Sequence, residues 1–286
     1  MSRAAPAETT TKELQLRDGR RLVVHDSGRT GATDELSLVW HHGSPQTGAL
    51  LPPLLEAASR RRIRLVSYGR PGYGDSSPNV GRNVASAAAD VGEIADSLGI
   101  DRFAVMGASG GGPHALSCAA LLSDRVVGAA CLECPAPYTD AFDWYAGMAS
   151  PDALRSAAGG RGERARFALT ETFDESQFTA RDWAALSGTW ASLGRDAGEA
   201  GAAGPDGLID DDVAFAGPWG FDLGSISVPV LLVQGGEDRV IPRSHADWLL
   251  DAIPTAELWL RPHDGHISVL DACPVGMDWL RQIPRD

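Results

Sequence analysis

The sequence predicts an α/β protein, a mostly parallel, doubly wound sheet that carries one inserted, mainly helical segment. Three observations predict it. Short continuous apolar runs alternate with stretches of helical period, the pattern of strands covered on both faces by helices. The alternation breaks once, over residues 137–222, where aromatic and acidic side chains are dense, and then resumes. Between one apolar run and the helical run after it stands a glycine-rich junction, GASGGG, Gly107 to Gly112.

The elements follow in chain order. Residues 1–10 are expected to be a disordered tip, and LQLRDGRRLVVHDSG alternates apolar and polar residues around Asp18-Gly19, as an antiparallel hairpin at a sheet edge does. Leu36 to Trp40 reads as a strand buried on both faces and leads into the turn-forming HHGSPQTG. A third run, Ile63 to Tyr68, ends in GRPGYGDSS. Asn83 to Leu98 then places Val84, Ala88, Val91, Ala95 and Leu98 on one helical stripe. Phe103 to Met106 is the next strand and Pro113 to Leu122 the next helix, Pro113 being tolerated where first-turn amides have no intrahelical partner. Val126 to Leu132 is a further strand. Beyond the insertion come a strand at Val228 to Gln234, a helix at Ser244 to Ile253, a strand at Ala256 to Arg261 and a last helix ending near Ile283.

This order divides the chain into a core of residues 11–136 and 223–286 and a helical cap or lid of residues 137–222. Most of the lid's aromatics are expected to form a core of its own and the rest to face the reaction centre. Open α/β sheets bind ligands at the carboxyl ends of their strands, so a segment leaving such an end is placed to roof a site.

Bulk properties narrow the function. A chain of 286 residues supports one sizeable core with one excursion, and a formal net charge of −13 argues against nucleic acid or an anionic membrane as partner. No stretch has the apolar core of a secretory signal, and no apolar run reaches the roughly 18 residues of a membrane span, so a cytoplasmic protein is expected. Cys118, Cys131, Cys134 and Cys273 show no paired metal-ligand spacing and read as buried free thiols; the CxxC of Cys131 and Cys134 lies at a strand end, not at the helix start a redox pair uses. The expectation is a small-molecule substrate with no cofactor and no metal, and the sequence leaves a homo-oligomer open.

The chemistry gathers at strand ends. Gly107 and Gly111 flank Ser109 in a Gly-x-Ser-x-Gly pattern on a strand-to-helix turn, which would hold the hydroxyl out toward a ligand. A serine hydroxyl attacks only when a base takes its proton, and that base needs an acid to fix its tautomer. After the run VPVLLVQ, GGEDRVIP offers Asp238; after AELWLRP, HDGHISV offers His266 or His263. All of these fall on the same rim of the predicted sheet.

The motifs HHGSP, GRPGYGDS, GASGG, GGEDRVIP and DGHISV, in this order, resemble those of the α/β-hydrolase superfamily with a helical cap, and the resemblance runs from Leu14 to Ile283. It implies a cofactor-free serine hydrolase acting through an acyl-enzyme on a carboxylic ester or lactone, or a thioester, of a small apolar molecule. Carried over, Ser109 matches the nucleophile, Asp238 the acid and His266 the base. The backbone N–H groups of Gly110 and Ser44 match the oxyanion hole, with the Ser44 hydroxyl as a weaker third donor. Glu133, after the strand ending at Leu132, is the rival acid, because some relatives place theirs there. His41 and His42 would shape the oxyanion loop, His114 would be packed, His263 would be a loop residue, and Arg70 and Asp75 would pair to fix the GRPGYGDS turn. Relatives that open epoxides or dehalogenate alkanes carry aspartate at the nucleophile, which Ser109 argues against. HGSPQ also departs from the His-Gly-Gly-Pro-Gly loop of proline aminopeptidases. The same triad would equally serve C–C hydrolysis, lyase or perhydrolase chemistry, and a ligand-binding receptor that retains it ranks lower.

Overall fold

The computed structural model describes residues 9–32 and 34–284. Eight strands form one sheet: β1 (Thr10–Gln15), β2 (Arg21–Asp26), β3 (Leu36–His41), β4 (Ile63–Tyr68), β5 (Phe103–Ala108), β6 (Val126–Leu132), β7 (Val230–Gly235) and β8 (Ala256–Arg261). Their spatial order is β1-β2-β4-β3-β5-β6-β7-β8. The hairpin β1-β2 joins β4 antiparallel, and every other pairing is parallel. Most of the tip expected over residues 1–10 lies outside the described residues, and Thr10, its last member, already pairs with Asp26.

The continuous apolar runs have the expected cause. In β3, Leu36, Leu38 and Trp40 enter one apolar cluster while Val39 enters the other, because successive side chains leave opposite faces of a strand. One face is covered by α2 (Ser86–Ser97), α3 (Gly111–Leu121) and α9 (Arg243–Ala252), through Val91, Ile94, Leu116 and Leu249. The other is covered by α1 (Pro52–Arg60) and α10 (Cys273–Gln282), through Leu54, Met277 and Leu280. Boundaries shift by a few residues from the sequence reading. Helix α2 starts at Ser86, not Asn83, because the Asn83 side chain accepts from the Ser86 amide at 3.1 Å and the Ala85 amide donates to the carbonyl of Trp219. All four cysteines are buried and unbridged.

Between β6 and β7 the chain forms α4 (Asp152–Ala158), α5 (Arg161–Ala168), α6 (Ala180–Ser187), α7 (Ala191–Ala202) and α8 (Asp206–Ala216). Its aromatics depart from expectation. Trp190 belongs to one of the two clusters beneath the sheet helices, and Phe215 and Trp219 belong to the other. The inserted segment therefore shares the core of the sheet. The physical reason is that its helices are short and carry little apolar surface, so its large side chains are buried only by reaching the sheet layers. Phe173, Phe178 and Trp183 do cluster among themselves, edge to face, but Phe173 and Trp183 remain exposed.

What ties α5 to α8 is charge. Arg164 of α5, 1% exposed, donates to Asp212 of α8 at 2.6 Å and pairs with Glu171 at 2.8 Å; Arg161 bridges Asp206 and Asp210. Removing one partner of a buried pair leaves an uncompensated charge in a medium that solvates it poorly. Arg164→Met is expected to lower unfolding free energy by about 3–5 kcal/mol in denaturant titrations, and Arg164→Met with Asp212→Leu to recover most of that loss.

Candidate active site

Ser109 stands between β5 and α3 with φ of 51°, in the left-handed region a non-glycine residue adopts only under constraint. The constraint is visible on both sides: the Ser109 amide donates to the carbonyl of Leu132 at 2.8 Å, and its own carbonyl accepts from Gly112 at 2.9 Å. The flanking glycines are required by contact. A Cβ on Gly107 would collide with the carbonyl oxygen of Gly111, and one on Gly111 with that of His41. Three backbone segments thus touch at this turn, and the half-buried serine is left at the carboxyl edge of the sheet.

The structure brings Ser109, His266 and Asp238 together. His266 Nε2 lies 3.0 Å from Ser109 Oγ, and His266 Nδ1 lies 2.8 Å from Asp238 Oδ2. A carboxylate accepts only, so Nδ1 carries the ring proton and Nε2 is left as the acceptor facing the hydroxyl. Asp238 is itself fixed, its Oδ1 accepting from the amides of Val240 at 2.8 Å and Ile241 at 3.0 Å, and its side chain is fully buried. His263 is exposed and, among the described residues, reaches Glu237 at 3.8 Å. Glu133, the rival acid, is 1% exposed and neither of its carboxylate oxygens has a hydrogen-bond partner among the described residues. The acid that meets His266 is Asp238.

The loop after β3 is reached from the opposite side. His42 accepts the Arg70 amide on Nε2 at 3.1 Å and donates from Nδ1 to the Gly43 carbonyl at 2.7 Å. Burial, reinforced by the Arg70 guanidinium, holds its pKa well below the usual imidazole value, which suits this neutral tautomer. His41 is also buried, 3.7 Å from Cys118 Sγ, and His114 packs its ring edge against Phe215. The Ser44–Pro45 peptide is cis. Among the described residues, neither the Ser44 amide nor the Gly110 amide donates to another group. The Ser44 hydroxyl is otherwise engaged: it donates to Asp211 Oδ2 at 2.5 Å and accepts from Arg70 at 2.8 Å. Its single hydrogen is used, so the third donor suggested by the sequence is not free.

Arg70 also departs from expectation. Its partner is Asp211, at 2.6 Å, and not Asp75, whose carbonyl accepts from Arg21. Asp211 belongs to a set that the sequence reading missed, three buried carboxylates on inserted helices that each bind a loop of the site. Asp182 of α6 accepts from the amides of Ile267 at 2.9 Å and Ser268 at 2.8 Å, directly after His266. Asp196 of α7 accepts from the Thr47 amide at 3.1 Å, and Asp211 of α8 from Ser44. Burial pushes the Asp182 carboxyl up, but the bonds it accepts from Ser268 and Thr179 outweigh this and hold it below the usual carboxylate range. The one signal that could have found them is placement: Asp211 lies inside the run LIDDDVAF, where a helix turns an apolar face inward.

Glu133 differs from these acids in having no hydrogen-bond partner among the described residues. Burial, followed by the nearby Asp238, Asp182 and Asp264 carboxylates, pushes its carboxyl well above the usual range. Its folded-state pKa exceeds that of the unfolded chain, so stability is intact at acid pH and falls as pH rises from about 4.3 toward the folded value. Glu133→Gln removes this proton linkage. Its melting temperature is expected to exceed that of the parent by a margin that widens between roughly pH 5 and pH 8, reaching about 3 °C, as thermal unfolding across that range would record.

A profile described as alpha/beta hydrolase fold matches residues 37–272. One curated relative, a pimeloyl-(acyl-carrier protein) methyl ester esterase of Nitrosomonas europaea, is 43% identical over 49 residues, a match spanning 17% of this chain and 19% of that protein. Among solved structures, an enol-lactonase of Burkholderia xenovorans superposes with TM-score 0.71 at 19% identity, covering 94% of this chain and 98% of its own. A bromoperoxidase of Bacillus anthracis does so with TM-score 0.72 at 21% identity, covering 94% and 96%. At these identities the structural likeness speaks for the fold. Among the described residues no helix is long and apolar enough to cross a membrane. With the profile spanning most of the chain, this chain belongs to the alpha/beta hydrolase fold family.

Proposed function

We propose that the protein is a serine hydrolase that cleaves a carboxylic ester or lactone of a small, largely apolar molecule. The observation that carries this reading is the relay in which His266 Nε2 stands 3.0 Å from Ser109 Oγ while Nδ1 stands 2.8 Å from Asp238. The esterase and enol-lactonase among the similar proteins support the choice of substrate class.

In the reaction, Ser109 Oγ attacks the carbonyl carbon as its proton passes to His266 Nε2, and Asp238 stabilises the imidazolium that forms. The carbonyl oxygen gains negative charge and is met by the amides of Ser44 and Gly110. Geometry supports this pairing. Gly43 C=O accepts from His42 and points toward Arg70, and in a trans peptide the N–H of the next residue points the opposite way. The Ser44 side chain also lies against the α-carbon of Gly110, so the two residues are neighbours. His266 then returns the proton to the leaving alcohol, and a water activated by the same ring releases the acid. Phe215 lies over Gly110 and gives the acyl group an apolar wall, and the β6–β7 insertion acts as a cap over the site. A cleft of about 880 Å³ between α1, the start of α7 and the start of α10 does not reach Ser109 and is assigned no part in this chemistry.

Turnover of short-chain nitrophenyl esters and of lactones tests the reading. Ser109→Ala is expected to lower kcat by about 10⁴-fold or more and to abolish covalent labelling by a fluorophosphonate; undiminished turnover would remove Ser109 from the mechanism. C–C hydrolysis, lyase and perhydrolase reactions would use the same three side chains, and product analysis on a substrate panel separates them from ester cleavage.

A further inference from the structure

We propose that Asp211, carried on inserted helix α8, is a positioning residue that sets the orientation of the Gly43–Ser44 peptide and so couples the inserted segment to the rate of the chemical step. The inference rests on the reading of Ser44 as an oxyanion donor. It starts from the surroundings of one carboxylate. The Asp211 side chain is 0% exposed, and donors converge on it from four residues of the sheet core: Ser44 Oγ at 2.5 Å, Tyr73 Oη at 2.7 Å, Arg70 at 2.6 Å and Arg82 at 2.7 Å.

A buried carboxylate costs several kcal/mol in lost hydration unless it is paired, and here two guanidiniums and two hydroxyls supply the compensation. The same arrangement works in the other direction. Arg70 and Arg82 are both buried, and Asp211 is the side chain on which both converge, with Arg82 also reaching the carbonyls of Pro71 and Gly207. Held by Asp211, Arg70 directs one Nη to the carbonyl of His42 and the other to Ser44 Oγ and, at 3.4 Å, the carbonyl of Gly43. Ser44 is therefore pinned twice, giving its hydrogen to Asp211 and its lone pair to Arg70.

The consequence lies on the far side of the peptide plane. With the Gly43 carbonyl turned toward Arg70 and His42, the Ser44 N–H, at the opposite edge of the same trans peptide, is turned away from them and left for a ligand oxygen. Among the described residues, Asp238 and His266 bond to each other, to the amides of Val240 and Ile241 and to Ser109, and to none of Gly43, Ser44, Arg70 and Asp211. Asp211 thus bears on the stabilisation of the oxyanion and not on proton transfer. A purely structural ion pair would lower the folded fraction and scale all activities together.

Asp211→Asn keeps the shape and removes the charge. In folded protein it is expected to lower kcat for a nitrophenyl ester by about 10- to 100-fold, a part of the loss seen when one oxyanion donor is deleted, with KM changed less than about threefold. Affinity for a trifluoromethyl ketone, which binds as a hemiketal oxyanion, falls by a similar factor, while the pH–rate inflection stays in place. Ser44→Ala, which removes the hydroxyl link and keeps the amide, shifts the same two quantities in the same direction and serves if Asp211→Asn does not fold. Unchanged kcat and inhibitor affinity in the folded variant, or losses that only track the folded fraction, overturn the proposal. A crystal structure of Asp211→Asn reads the Gly43–Ser44 peptide directly, independent of any substrate. An unmoved peptide sinks the positioning role, whereas a reoriented peptide alongside a fully active Ser109→Ala enzyme leaves it standing and sinks the hydrolase reading.

Discussion

The close meeting of three backbones at Ser109 is the constraint on which the rest of this structure depends. Gly107 of β5, Gly111 at the start of α3 and His41 at the end of β3 approach so tightly that no side chain fits at either glycine. A serine held at positive φ costs on the order of 1–3 kcal/mol, and only a surrounding that fixes both its amide and its carbonyl makes the conformation persist. That surrounding is the centre of the sheet: β3, β5 and β6 lie side by side with every residue of β5 and β6 buried. Because the strands are parallel, their carboxyl ends share one rim, and the loops carrying Asp238 and His266 arrive there as a matter of topology.

Topology brings these loops to the rim, but it does not aim them. Aiming comes from buried carboxylates of the inserted segment. Asp182 gathers two successive amides after His266, Asp196 holds Thr47, and Asp211 holds Ser44. Each accepts from more than one donor in a low-dielectric setting where hydrogen bonds are strong and their geometry is narrow; the donors hold Asp182 below the usual carboxylate range, whereas burial pushes Asp196 up. For Asp211, burial would raise the carboxyl pKa, but the Arg70 and Arg82 guanidiniums outweigh it and hold it well below the usual range. The segment between β6 and β7 is in this sense built into the rim of the sheet, and its Trp190, Phe215 and Trp219 sit in the sheet's own clusters.

Much of this was legible from the chain. Continuous apolar runs such as Leu36 to Trp40 and Val126 to Leu132 could only be strands buried on both faces, and the glycines around Ser109 announced a turn too tight for side chains. The partners of charged residues were not legible. Arg70 looked bound to Asp75 five positions on, yet it pairs with Asp211 across 141 residues. Glu133 and Asp238 were both candidates after neighbouring strands, and their chain positions alone could not say which oxygen would lie 2.8 Å from His266. Acidic residues on amphipathic helices are usually solvated, so local pattern assigns Asp182, Asp196 and Asp211 to the surface by default.

Sequence alone determined the order of strands and helices, the tight turn at Ser109 and the loops that could supply an acid and a base, because these follow from local periodicity and from steric limits on backbone turns. The tertiary structure decided which of those groups meet, which acid faces His266, and that the inserted helices reach down to hold the loops that carry Ser44 and His266. The physical reason is range. Backbone sterics and apolar period act over a few residues, whereas the pairing of buried charges depends on which distant segments the fold brings within 3 Å, at distances no single stretch of chain records.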